Sequence, residues 1–254
     1  MCTVTVVAAP LVAPAVDRGS PRARLICSRD ERRSRPRALP PAPLVAGSRR
    51  AVAPTDPAGG GTWVAVSDAG LAFALLNINR SRQPSNPDLP SRGTLIPSLL
   101  DAGDLEACLA RAERVDGRSF NPCRLLVTDG RTAGEIVIRG GRLRLHRHRL
   151  DRPLLRISSS LGDRRVRRRR PLFQLWPHPR GGVWSRAVHE AFHLHRWPRK
   201  GAASVRMQRR DAATVSIASI ELYSDRAVLD YREVIDGRPG TVHESVLPYR
   251  AGSP

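Results

Sequence analysis

The chain has 254 residues, 41% of them apolar, and a formal net charge of +20 from 43 basic against 23 acidic side chains. That length holds one large domain or two small ones, with apolar residues enough for a sizeable core. No apolar run reaches the ~18–20 residues that cross a membrane as a helix, and the four cysteines, Cys2, Cys27, Cys108 and Cys123, form neither a CxxC pair nor a disulfide framework. Lys200 is the single lysine, and aromatics make up only 4%. A charge built almost wholly on arginine reflects composition more than a nucleic-acid surface, so no specific nucleic-acid partner is expected. The cysteine usage fits a reducing, cytoplasmic setting.

In chain order, residues 3–9 (TVTVVAA) are rich in β-branched side chains and stop at Pro10, the mark of a buried strand. The apolar start lacks a basic lead-in and is broken by Pro10 and Pro14, so it reads as strand and loop rather than as a signal peptide. Residues 22–28 (RARLICS) make a second strand that pairs with the first. RDERRSRPRALPPAP, from Arg29 to Pro43, is dense in charge and proline and is expected to be loop. PTDPAGGGT, residues 54–62, is a second loop, and WVAVSDAGLAFALLN gives two strands about a turn at Asp68–Gly70. Residues 78–92 form an exposed loop. Between 94 and 114 the spacing of Leu105, Cys108, Leu109 and Ala112 is helical, with Pro97 in a first turn and Gly103 splitting the region in two.

Three strands follow as a meander from Cys123 to His148, then a strand or loop in RPLLRISSSLGD. The run Arg164 to Arg170 reads as an arginine-studded helix or solvated face, with an anion or nucleic-acid patch as the sharper alternative. Residues 183–196 are helical. ASVRMQ (203–208) and three further stretches close the chain as strands. Strands, then helices, then strands again predict an α+β layered fold in one domain spanning 1–254.

Three motifs carry chemistry. HEAFH, His189 to His193, matches the HExxH of zinc peptidases, where two histidines one turn apart take the metal and the glutamate acts as base. It lacks the metzincin continuation, and no third ligand stands out among His146, His148, His178 and His243. The favoured reading is a helix whose histidines pack or cap, and neither a metal nor a cofactor is expected. GGGTW, Gly59 to Trp63, lacks the Lys-Ser/Thr of a phosphate loop; its glycines suit a tight approach of backbone to backbone or to a substrate. The third motif is the start, MCT. Removal of Met1 would give Cys2 a thiol and an α-amine whose ordinary pKa is about 7.7–8.0, so one residue supplies nucleophile and base. If the first two strands pair, Arg29 and Asp30 fall beside it, where a cation favours the thiolate. By itself, the favoured reading of Cys2 is an ordinary small apolar residue in a first strand.

MCT, RLICSRDERRSRP, PTDPAGGGTWVAVSDAGLAFALLN and SRG, in this order and at these distances, resemble the NRDE family, the group of the eukaryotic transport-and-Golgi-organisation protein two. The Asn-Arg-Asp-Glu string that names the family stands here as Ser28-Arg29-Asp30-Glu31, with serine in place of asparagine. The resemblance is dense over residues 1–100 and thin afterwards. It implies a likeness to N-terminal nucleophile hydrolases, whose fold is a four-layer αββα sandwich of two largely antiparallel sheets. In their cysteine-type members, bile-salt and penicillin V acylases among them, the exposed cysteine attacks an amide carbonyl. The resemblance thus implies Cys2 as nucleophile, Arg29 and Asp30 as the groups that hold it, and Asn77 as oxyanion donor. Asn79, Arg209 and Arg210 are further candidates without a motif. The implied function is N-terminal cysteine hydrolysis of a C–N bond in a small-molecule substrate. The alternative, from what eukaryotic relatives are linked to, is a non-catalytic binding or transport protein for haem or lipid-like small molecules.

Overall fold

The structure, a computed structural model, describes residues 2–12, 19–79, 85–176, 183–199 and 201–250. Met1, Pro14, His178 and part of the expected 78–92 loop lie outside the described residues. The first strand, β1 (Cys2–Ala8), pairs antiparallel with β2 (Ala23–Arg32), and the register sets Cys2 opposite Arg29, Thr3 opposite Ser28 and Val4 opposite Cys27. Side chains alternate across a strand. One face of this pair therefore carries Cys2, Val4, Val6, Leu25, Cys27 and Arg29, and the other carries Thr3, Thr5, Val7, Ser28 and Asp30.

β3 (Leu39–Ala46), β4 (Arg49–Thr55), β5 (Val64–Ser67) and β6 (Ala72–Asn77) lead to the helix α1 (Leu105–Glu113), capped by the Asp104 carboxylate on Ala107 N–H. β7 (Cys123–Thr128), β8 (Thr132–Arg139), β9 (Arg142–Arg149) and β10 (Leu154–Ile157) follow. Then come α2 (Arg169–Leu175), α3 (Arg186–Leu194), β11 (Ala212–Leu222), β12 (Arg226–Ile235) and β13 (Arg238–Pro248). Two sheets result, ordered β10-β1-β2-β11-β12-β13 and β3-β4-β5-β6-β7-β8-β9, with every ladder antiparallel. One large core fills the space between them, from Val4, Val6, Leu25 and Leu229 of the first sheet to Phe73, Leu75, Leu125 and Val127 of the second. α2 and α3 cover the outer face of the first sheet, and α1 lies on β8 and β9 of the second. The layers are helix, sheet, sheet, helix, as the α+β reading expects.

Two stretches depart from that reading. The segment from Arg29 to Pro43 is not all loop: β2 runs on to Arg32, and β3 contains Pro40, Pro41 and Pro43. β3 is an edge strand, where a missing N–H breaks no ladder, so proline signals the sheet's border rather than a turn. β2 continues because β1 and β11 flank it and give its charged end partners, as shown below. Conversely, residues 203–208 form no strand beyond a single bridge between Gln208 and Ala213. The carbonyls of Ala203 and Ser204 are turned instead onto the guanidinium of Arg169.

Candidate active site

Cys2 lies at the mouth-end of β1, its carbonyl accepting from Ser158 N–H at 2.9 Å and its own nitrogen 3.1 Å from Ser158 Oγ. β1 is locked on both sides, so this nitrogen is held by β10's continuation. Cys27 stands diagonally across the ladder on the same face. Its thiol donates to the Cys2 sulfur and holds the Cys2 pKa below its ordinary value, against burial. The same pairing, with burial, pushes the Cys27 thiol far up. Cys108 and Cys123 are raised to about 12 by burial, so Cys2 is the cysteine disposed to ionise.

Arg29, opposite Cys2, is fixed from three directions. Its guanidinium carbon sits 4.2 Å from the centre of the Trp63 ring, its Nη2 donates to Asp56 Oδ2 at 3.0 Å, and Glu31 lies 3.7 Å away. Asp56 also takes Arg35 through Nη2 at 2.8 Å. Gly61 lets this loop close down: a Cβ there would come 2.7 Å from the Gly93 carbonyl oxygen, and Thr62 N–H donates to that oxygen. The glycine-rich GGGTW thus serves backbone-to-backbone approach.

Asp30 is fully buried on the opposite face. Thr214 Oγ1 donates to it at 2.6 Å, and Arg169 Nη2 is 3.7 Å from its other oxygen. Burial pushes its carboxyl up, with Arg169 pulling the other way. Arg169 is itself buried, donating to Thr3 Oγ1, Ala203 O and Ser204 O. Of the whole arginine run, it alone turns inward; Arg164, Arg165, Arg167, Arg168 and Arg170 are exposed.

These groups meet in one cavity of about 670 Å³ at the end of the sandwich. Cys2, Arg29, Asp30, Asn77, Asn79 and Arg209 all line it; Arg210 does not. Asn77 ends β6 and makes no side-chain hydrogen bond among the described residues. The Asn79 amide nitrogen is buried with no hydrogen-bond partner there. Sequence reasoning missed Ser158, Asp56, Thr214 and Arg169. For Arg169 a signal existed: it shares a helical stripe with Val166 and Phe173, the buried members of that segment.

HEAFH lies elsewhere. His189 and His193 project from α3 onto the outer face of β1, and both reach one hydroxyl: Thr5 Oγ1 is 2.6 Å from His189 Nε2 and 2.7 Å from His193 Nε2. Ser28 Oγ is 2.7 Å from His193 Nδ1, while His189 Nδ1 is buried without a partner. A buried N–H without an acceptor is rarer than an idle lone pair. This assigns a one-way chain in which His189 Nε2–H donates to Thr5, Thr5 to His193 Nε2, and His193 Nδ1–H to Ser28. Burial keeps both rings neutral, with the His193 pKa at about 3 and that of His189 well below its ordinary value. Glu190 turns away to Arg186 and Arg232. The motif is a structural clamp, and Ser28, where the NRDE string has asparagine, faces this clamp instead of the cavity. No histidine lines the cavity among the described residues.

A family model described as Transport and Golgi organisation 2 matches residues 15–191. A sequence search among curated proteins finds no match. Solved structures do match in fold. Penicillin V acylase from Agrobacterium tumefaciens superposes at TM-score 0.53 and 13% identity, over 98% of this chain and 86% of that one. A mutant conjugated bile acid hydrolase from Clostridium perfringens gives 0.56 and 10%, over 100% and 98%. The Caenorhabditis elegans ortholog of N-acylethanolamine-hydrolyzing acid amidase gives 0.54 and 10%, over 87% and 92%. At such identities the likeness is one of fold: the αββα sandwich of N-terminal nucleophile hydrolases.

Proposed function

The chain belongs to the Transport and Golgi organisation 2 family, and from that premise we propose that it is an amidohydrolase whose nucleophile is Cys2, exposed by removal of Met1. The observation that carries the reading is the convergence of Cys2, Arg29, Asp30 and Asn77 on a single cavity. The fold relatives are, by name, a penicillin V acylase, a conjugated bile acid hydrolase and an N-acylethanolamine-hydrolyzing acid amidase, and these names support an amide-cleaving reading.

In this mechanism the nitrogen of Cys2 becomes the α-amine, oriented by Ser158 Oγ. It takes the thiol proton as the sulfur attacks the amide carbonyl. Arg29, anchored by Asp56 and Trp63, favours the thiolate across the ladder. Asn77 and a backbone N–H receive the oxyanion. The amine then protonates the leaving nitrogen, the C–N bond breaks, and a thioester remains on Cys2. Water, deprotonated by the same amine, hydrolyses it to a carboxylic acid and frees the enzyme. Asp30, held by Arg169 and Thr214, orients the N-terminal end of β1 from the other face.

Hydrolysis of N-acyl p-nitroanilides tests this. A burst of p-nitroaniline equal to the enzyme concentration is expected, with turnover falling on the order of a thousandfold or more in Cys2→Ala. Turnover that survives Cys2→Ala would sink the proposal.

A further inference from the structure

The charges lining the cavity do not balance, and the imbalance has an address. Five arginines, Arg29, Arg32, Arg35, Arg92 and Arg209, line it beside the carboxylates of Glu31, Asp56 and Asp211, while the Asp30 carboxylate is buried on the other face near Arg169. Arg29 and Arg35 share Asp56 and Glu31, and Arg209 pairs with Asp211 at 2.6 Å. Arg32 is exposed to solvent. Arg92 is different. It is half-buried, and among the described residues no carboxylate lies within ion-pair distance of it and its guanidinium makes only a long contact, 3.4 Å, to the Pro122 carbonyl. The charge is held out of water, and burial lowers its pKa accordingly. Its backbone is pinned: Ser91 Oγ accepts from Gly93 N–H, and the Gly93 carbonyl is the one that Thr62 caps. A guanidinium kept in a cavity with most of its donors unspent is a receptor for a planar oxyanion, which it can grip through two parallel N–H donors.

Building on the amidohydrolase reading of the same cavity, we propose that the substrate is an amide that also carries a carboxylate, and that Arg92 binds this carboxylate while Cys2 meets the amide carbonyl. The remaining lining suits such a molecule. Asn77 and Asn79 offer amide groups, and Trp63, Leu75 and Leu161 offer apolar walls.

The test uses protection of Cys2 from iodoacetamide, read by peptide mass spectrometry, and needs no turnover. The probes are N-phenylacetylglycine, which is anionic, and N-phenylacetylglycinamide, its neutral counterpart of nearly the same shape. In the wild-type protein the anionic probe is expected to protect at a concentration roughly tenfold lower or better, in line with about 1.4 kcal/mol or more for a charge-assisted pair. Arg92→Gln should reduce that preference to less than about twofold, Arg92→Lys should keep part of it, and added salt should erode it in the wild type. Equal protection by the two probes in the wild-type protein overturns the proposal, as does a preference that Arg92→Gln leaves intact. Should Arg92→Gln fail to fold, the wild-type comparison and Arg92→Lys decide. Protection by the anion without hydrolysis would uphold Arg92 and refute the hydrolase reading. Equal hydrolysis of both probes would do the reverse.

Discussion

The two faces of the β1–β2 pair make an instructive contrast. The outer face carries the loudest motif in the sequence, HEAFH, packed down onto Thr5 and Ser28. The inner face carries a cysteine that looked incidental, beside Cys27, Arg29 and an open cavity. Both contain nucleophilic or ligating atoms in close array. They differ in where the lone pairs point. Three of the four ring nitrogens of His189 and His193 are spent on hydroxyls in a sealed layer, whereas the Cys2 sulfur, the Asn79 amide and the Arg92 guanidinium border empty volume. Chemistry follows accessible, unspent valence rather than motif letters.

That contrast can be broken or sharpened in order of expected effect. Arg169→Met removes the cation behind the buried Asp30. Leaving that carboxyl uncompensated should cost about 3–5 kcal/mol in denaturant unfolding. A loss within error would mean that the other partners of Asp30 hold it without Arg169.

Glu135 provides a control remote from both faces. It draws Arg156 of the first sheet and Arg124 and His148 of the second together. Burial alone would raise its carboxyl, but these partners override it and hold it at about 2, against an ordinary 4.5. A depressed folded pKa stabilises above the unfolded value and is lost as pH falls. The network should therefore contribute fully above pH ~4.5 and fade toward pH ~2, a change of about 3 kcal/mol at ~1.4 per unit. Unfolding titrations of Glu135→Gln should lack that slope, while Cys2 alkylation at neutral pH stays as in the wild type.

Thr5→Val deletes the hydroxyl that both histidines share. It should destabilise by about 1–3 kcal/mol, the usual cost of leaving buried polar atoms unpaired. The alkylation rate of Cys2 should hold, because Thr5 lies across the sheet. A tenfold change in that rate would show that the clamp and the cavity act as one unit. The smallest effect belongs to Cys27→Ala, which should raise the pH midpoint of Cys2 alkylation, with Cys27→Ser recovering part of the shift. An unmoved midpoint would assign the activation of Cys2 to the neighbouring positive charges, the N-terminus and Arg29.

Much of the layered fold was legible because its strands are β-branched runs bounded by turns, such as TVTVVAA and WVAVSDAGLAFALLN, and because Asp104 and the Leu105–Ala112 spacing declare α1. β3 was hidden by its prolines, which an edge strand tolerates. The segment 203–208 looked like a strand because Val205 and Met207 alternate as buried residues, while the carbonyls of Ala203 and Ser204 go to Arg169 rather than to a ladder. Within the site, Cys2, Arg29 and Asp30 were legible through a family string, and Asn77 through its place at a strand end. Ser158, Asp56, Thr214 and Arg169 were not. Each acts through a contact more than twenty residues away in sequence, and only the folded register creates such contacts. No local spacing announces them.

No histidine lines the cavity among the described residues, and Cys2 is the cysteine whose pKa is lowered, so the chemistry rests on Cys2 being a free N-terminal nucleophile. Intact-mass analysis of the purified protein, before and after brief treatment with limiting iodoacetamide at neutral pH, tests it most directly. The account predicts a mass lacking Met1 and one added carbamidomethyl group, carried on Cys2. Retention of Met1, or labelling of Cys27, Cys108 or Cys123 while Cys2 stays unmodified, would contradict it.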